Sequence, residues 1–355
     1  MKLLMITRKV DLEDSSPAGF TYNWVKKLGE KLEELYVITW QKSDRGDLPK
    51  NIEIISLPNN KFFKIFVLQF RLLKILPKVD GVFCHQNPEY TILIGPLAKI
   101  FRKRIISWYT HKAVNWRRRL MELLADKILT ASSLSFRKPF FPNKVEVTGH
   151  GIDINYFCKS PYKHKDEKFH IISVGRISPI KNYETLIKAI DILVNEKNKN
   201  NIELIILGSA VLKSDNEYLR KIKKLSESEN LIRGKYHYIE IVGRGIPYRD
   251  ITTTYWNSDL MVNLSQTGSV DKAVLEAMAC ETLVLTSNEA FKDILKDERL
   301  MFKPRDYNDL ADKIINLMNL SDEGKKKIGQ SLRKAVVDNH NLDKLVGKIL
   351  ALYEE

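Results

Sequence analysis

The sequence predicts an α/β protein built as two Rossmann-like domains whose parallel sheets face each other across a cleft. Three observations carry that prediction. Short apolar, β-branched runs alternate with helical patterns through the first half of the chain, the signature of a parallel sheet covered by helices on both faces. A polar stretch from Lys159 to Lys168 then interrupts the pattern and cannot contribute a core. Beyond it the same alternation restarts, and 355 residues suffice for two independent cores.

In chain order, strands are expected at Leu3–Thr7, Leu35–Thr39, Ile52–Leu57, Gly81–His85, Ile105–Tyr109, Lys127–Thr130 and Val145–Thr148. Helical periodicity marks Tyr22–Leu32, Phe63–Leu76 and Tyr90–Phe101 between them. The second half supplies Ile171–Val174, Glu203–Leu207, Ile239–Val242, Leu260–Leu264, Leu283–Thr286 and Leu300–Phe302 as strands, with a helix after Tyr183 and an amphipathic one over about Leu342–Tyr353. The expected division is 1–160 for the first domain, 161–340 for the second and 341–355 for the closing helix.

Composition narrows the class. Hydrophobic residues make up 44%, as in a globular protein. The N-terminus runs straight into an apolar strand rather than a signal peptide, and no apolar run approaches the ~20 residues of a membrane span. Cys84, Cys158 and Cys280 are scattered without metal-ligand spacing, which fits a reducing, cytoplasmic setting. A net charge of +14 calls for anionic partners: nucleic acid, anionic lipid or a nucleotide-diphosphate substrate. Neither zinc-finger spacing nor an RNA-binding aromatic motif supports nucleic acid.

The strongest local signal is Val174-Gly175-Arg176-Ile177-Ser178-Pro179-Ile180-Lys181-Asn182. It follows the strand ending at Val174 and precedes a helix. Two cations, Arg176 and Lys181, therefore stand at the carboxyl edge of a parallel sheet, where open α/β folds bind ligands. The next helix N-terminus adds N–H donors and a positive dipole end. Together they suit a diphosphate; the competing reading is a solvated loop. The turn Asp14–Thr21, containing Gly19, occupies the equivalent place after the first strand. Gly149-His150-Gly151-Ile152-Asp153 and Ala273-Val274-Leu275-Glu276-Ala277-Met278-Ala279 complete an ordered set.

That ordered set, Gly-x-Gly-Ile-Asp, Gly-Arg-x-x-x-x-Lys and Leu-Glu-Ala-Met-Ala, resembles the family 4 retaining glycosyltransferases (glycosyltransferase group 1, GT-B fold) over nearly the whole chain. The resemblance implies that Arg176 and Lys181 neutralise the leaving diphosphate, that Glu276 accepts the ribose hydroxyls, and that His111 faces the transferred sugar. It also implies that Gly19 and Gly175 line the donor cleft, and that the last helix crosses back to the first domain. Donor transfer in such an enzyme needs no metal and no cofactor beyond the nucleotide-sugar donor.

One position departs from the pattern. Gly268 stands eight residues before Glu276, where the family usually has a glutamate that holds the donor sugar. The N–H groups of Gly268, Ser269 and Val270 could cradle phosphate or sugar instead, and Asp271 could replace the carboxylate from a shifted position. Donor sugar and base stay open.

Residues Lys61–Lys78 form a basic amphipathic pattern, with Lys64, Arg71, Lys74 and Lys78 on one side. Such a pattern suits a core helix with a solvated face, or a helix lying in an anionic membrane interface. Trp116-Arg117-Arg118-Arg119 adds to the basic surface. The expected activity is hexosyl transfer from a nucleotide-diphosphate sugar to a glycan, sugar or lipid-linked acceptor in cell-envelope or surface polysaccharide synthesis. The setting expected for it is the cytoplasm, with peripheral attachment to the inner face of the cell membrane as the further option. A silent nucleotide-sugar-binding subunit and a GT-B epimerase are the alternatives.

Overall fold

The computed structural model describes residues 1–16, 19–162, 166–229, 231 and 238–354. In chain order its elements are β1 (Lys2–Thr7), α1 (Thr21–Gly29), β2 (Glu34–Thr39), β3 (Ile52–Ser56), α2 (Lys61–Ile75), β4 (Gly81–His85), α3 (Pro88–Ile100), β5 (Arg104–Trp108), α4 (Trp116–Leu124), β6 (Lys127–Thr130) and β7 (Val145–Val147). There follow β8 (Phe169–Val174), α5 (Tyr183–Asp191), β9 (Ile202–Leu207), α6 (Lys213–Ser228), β10 (Ile239–Val242), α7 (Ile251–Trp256), β11 (Leu260–Asn263), α8 (Lys272–Ala279), β12 (Leu283–Thr286), α9 (Tyr307–Met318), α10 (Asp322–Asn339) and α11 (Leu342–Glu354).

The chain forms two compact units, Met1–Asp153 with Asn339–Glu355, and Ile154–Asp338. The first contains a seven-stranded sheet in the order β3-β2-β1-β4-β5-β6-β7, parallel throughout. Its alternating residues serve two cores. Leu4, Ile6, Val82, Cys84 and Ile105 pack with Leu68, Leu72 and Ile75 of α2 and Ile94 and Ala98 of α3. On the opposite pleat Phe83 stacks against Trp24 of α1.

The C-terminal tail belongs to this first unit. Ile152 and Leu342 exchange backbone bonds with His340 and Ile152 at 2.7 and 2.9 Å. His340 Nδ1 accepts from the His150 N–H at 3.0 Å. Burial pushes the His340 imidazole down to about 4, so it is the neutral acceptor this bond requires. The Tyr353 hydroxyl donates to the Val82 carbonyl at 2.7 Å.

The second unit carries a five-stranded sheet in the order β10-β9-β8-β11-β12, again parallel. The order reverses between β8 and β11, which makes the carboxyl ends of those strands a topological switch point. Their backbone register covers only Leu260 with Ile171 and Met261 with Ile172. One residue further on, Ser173 Oγ reaches the Val262 carbonyl at 2.7 Å in place of a backbone bond. Beyond Ile172 and Met261 the two strands pair no further residues.

Several sequence expectations are corrected. Leu300–Phe302 is not a strand: Met301 makes one isolated bridge to Thr286, while Leu300 and Phe302 are apolar because they are buried. Lys64 does not join an exposed basic stripe. It is buried, its Nζ donates to the Trp40 carbonyl at 2.7 Å, and it lies 4.9 Å over the Trp40 ring. Arg118 likewise leaves the basic surface. It is fully buried, paired with Glu122 at 3.0 Å and stacked 3.9 Å over Phe136. Of the segment Lys159–Lys168, residues Lys163, His164 and Lys165 lie outside the described residues.

Candidate functional site

The second unit gathers most of the expected site residues at the carboxyl ends of β8 and β11. After Val174 the backbone turns at Gly175, and Gly208, just beyond β9, passes directly against it. A Cβ at Gly208 would lie 1.8 Å from the Gly175 carbonyl oxygen, so only glycine permits this close approach. The Tyr183 hydroxyl, from the buried start of α5, donates to that carbonyl at 3.3 Å. Lys181 ends a short 3₁₀ turn, Pro179–Lys181. The left-handed Asn182 (φ 49°) then redirects the chain into α5, a conformation asparagine tolerates better than most residues.

Lys181 extends back across Gly175, with its Cε 3.2 Å from where a Cβ would stand. Its Nζ meets Asp271 Oδ1 at 3.0 Å, and both side chains keep less than a fifth of their surface exposed. The other Asp271 oxygen accepts from Asn263 at 3.3 Å and Asn288 at 3.1 Å. Asn288 also holds the Ser269 carbonyl at 2.7 Å. The loop from Ser265 to Asp271 is thereby fixed to three strand ends: β8 through Lys181, β11 through Asn263 and β12 through Asn288.

Within that loop Gly268 adopts φ 65°, a left-handed turn that favours glycine. Among the described residues no hydrogen bond engages the N–H of Gly268 or Val270, and that of Ser269 only reaches Thr267 Oγ1 at 3.5 Å. These donors lie beside the N-terminus of α8, whose dipole end favours an anion. Arg176 is nearly half exposed and sits 3.8 Å from Asp215, a long contact that leaves most of its fork of donors available.

Glu276, one turn into α8, is buried. It accepts from the Tyr255 hydroxyl at 3.1 Å and lies 3.9 Å from Lys272 Nζ. Desolvation raises its carboxyl to about 7, against the opposing pull of Lys272 and the Tyr255 bond. A carboxyl so placed is poised between acid and base at neutral pH.

Gly19 and His111 belong to the first unit. Gly19 is buried ahead of α1, its N–H bonded to the Ser16 carbonyl at 3.1 Å; Pro17 and Ala18 of the same turn lie outside the described residues. His111 follows β5 by three positions and is exposed. Its ring lies 5.4 Å from that of Tyr109. His85, at the end of β4, is wholly buried. Thr7 Oγ1 bonds its Nδ1 at 3.1 Å, and its ring packs with Trp24 and Trp108.

Asn263, Asn288 and Lys272 escape the sequence reading. The first and third could have been found by asking what stands at the end of β11 and the start of α8. Asn288 lies two residues past β12 and has no sequence signature of its own.

Residues 158–335 match the family model "Glycosyl transferases group 1", which spans half the chain and nearly all of the second unit. The chain belongs to this family. No curated protein sequence matches it. Solved structures do. Sucrose-phosphate synthase from Thermosynechococcus elongatus is 16% identical with TM-score 0.76, covering 99% of this chain and 98% of that one. HepE from Anabaena, in complex with UDP, is 15% identical with TM-score 0.76 and full coverage of both chains. A trehalose-6-phosphate protein from E. coli, bound with UDP-2-fluoro glucose, is 13% identical with TM-score 0.73, covering 100% and 99%. The two parallel-sheet α/β units of this group 1 glycosyltransferase thus match GT-B structures. Among the described residues, no helix is long and apolar enough to cross a membrane.

Proposed function

We propose that this glycosyltransferase moves a hexose, with retention of anomeric configuration, from a nucleotide-diphosphate sugar to a glycan, sugar or lipid-linked acceptor of a surface polysaccharide. The observation that carries the reading is the cluster at the β8/β11 switch point. Two cations, a turn with available N–H groups and a buried carboxylate meet where an open parallel sheet binds its ligand. The UDP and UDP-sugar named with the HepE and E. coli structures support a nucleoside diphosphate as the occupant.

In this reading Arg176 and the N–H groups of Gly268, Ser269 and Val270 hold diphosphate oxygens. Lys181, steadied by Asp271, neutralises the charge that grows on the leaving phosphate, a stabilisation concentrated in the transition state. These groups give the donor site its positive charge without a metal ion. The bond from the anomeric carbon to the diphosphate oxygen breaks as the acceptor oxygen attacks the same face, and the leaving phosphate takes the acceptor proton. The resemblance extends to His111 as the histidine facing the transferred sugar. With Gly268 in place of a glutamate, Asp271 stands in for that carboxylate from a shifted position.

Glu276 provides the test of the nucleotide half of the site. An ionised Glu276 accepting both ribose hydroxyls should make Glu276→Ala bind the nucleoside diphosphate about 1–3 kcal/mol more weakly, roughly 5- to 150-fold in Kd. Its carboxyl at about 7 is half protonated near neutrality, and the ribose selects the ionised form. Binding should therefore release protons, and affinity should climb between about pH 6 and about pH 8. Calorimetry in buffers of different ionisation enthalpy reads both effects. Unchanged affinity in the variant, with no buffer-dependent heat, would mean that Glu276 does not meet the nucleotide.

A further inference from the structure

The helix α2 turns an apolar stripe outward. Phe62 is 90% exposed, Phe66 69%, Phe70 49% and Leu73 50%, and their spacing of four, four and three residues puts them on one side of the helix. Leu68, Leu72 and Ile75 on the other side are buried in the first unit's core. The helix is anchored at its start by Asn60, whose side chain accepts from the N–H groups of Phe62 and Phe63 at 3.1 and 3.2 Å. The stripe is therefore a fixed surface, and a contiguous apolar surface of this kind on a folded unit marks an interaction site.

Charge selects the partner. From Lys61 to Lys78 the chain has no carboxylate. Arg71, Lys74 and, just past the helix, Lys78 are exposed, and Lys74 Nζ sits 4.4 Å over the Phe70 ring. A second copy of the chain would bring the same cations against these, so self-association gains no complementary charge. A neighbouring helix repeats the pattern. On α4, Trp116, Leu120 and Leu123 are exposed at spacings of four and three residues. Because α3 packs against both α2 and α4, the two stripes belong to one helical layer.

We propose that this outer face of α2 docks on an anionic lipid bilayer, with Phe62, Phe66, Phe70 and Leu73 entering the interface and Arg71, Lys74 and Lys78 at headgroup level. Lys64, buried under Trp40, takes no part. The proposal is independent of the donor chemistry: it places the enzyme at a membrane whatever sugar it transfers.

Flotation with vesicles of phosphatidylcholine alone, and of phosphatidylcholine and phosphatidylglycerol in equal parts, tests it. The full chain should partition onto the anionic vesicles only, and added salt should weaken that binding. Arg71→Glu with Lys74→Glu should lower the partition constant roughly 25-fold, about fivefold per cation. Phe66→Ser with Phe70→Ser should lower it by about tenfold or more even at low salt. All four residues are exposed, and nucleoside diphosphate titration of each variant reads the donor site separately. Partition that ignores the phenylalanine pair, or equal partition onto neutral vesicles, would overturn the proposal. So would a wild-type protein that leaves vesicles alone but forms a dimer the phenylalanine variant abolishes.

Discussion

Lys181→Ala should lose about 10²–10³-fold in turnover while the protein keeps its fold, because the ammonium acts on charge that exists chiefly in the transition state. The structure explains why the fold should survive. Lys181 is partly exposed, and Asp271, its partner, retains the Asn263 and Asn288 amides when the ammonium is removed. The loss should fall on kcat, with nucleotide affinity less affected, since the same diphosphate oxygens still meet Arg176 and the loop N–H groups. Steady-state kinetics on the variant, with a melting curve as control, measures this. Near-normal turnover would remove Lys181 from the chemistry and with it the assignment of the β8/β11 cluster.

The largest loss of stability should come from Glu122→Ala, far from that cluster. Arg118 has no exposed surface and depends on Glu122 at 3.0 Å; Glu122 is equally buried and also accepts from Arg119 at 3.1 Å and from the Phe140 N–H. Removing the carboxylate leaves a buried guanidinium without its counter-charge, at a cost of about 3–5 kcal/mol. Glu122→Gln, which keeps an acceptor for Phe140, should lose less. Four of the five tryptophans (Trp24, Trp40, Trp108 and Trp116) lie in the first unit, so fluorescence-detected denaturation reports on it. A shift below about 1 kcal/mol would show that the pair contributes no more than a surface ion pair.

The parallel sheets were legible because buried strands of this kind must be short, apolar and β-branched, and helices between them carry the 3.6-residue period. Leu300–Phe302 misled for the same reason: burial alone makes a run apolar, whether or not its backbone pairs. The cations of the site were legible from position, since Arg176 and Lys181 bracket a strand-to-helix turn. What holds them was not. Asn263 stands at a strand end that position alone marks, but Asn288 has no signature of its own, and their joint hold on Asp271 appears only when β11 and β12 are laid side by side. The helix α2 shows the limit most plainly. A helical wheel groups Lys64 with Arg71, but the wheel does not say where the sheet lies. The Trp40 carbonyl, beyond β2, draws Lys64 inward and leaves the phenylalanines outside.

The most direct test of the donor site is the release of nucleoside diphosphate when the wild-type protein is incubated with a panel of nucleotide sugars, spanning uridine, guanosine and adenosine diphosphates. Slow release is expected from at least one donor, accelerated by its acceptor and lowered about 10²–10³-fold in Lys181→Ala. A wild-type protein that releases nucleoside diphosphate from no member of the panel, with or without glycan and lipid-linked acceptors, would contradict it.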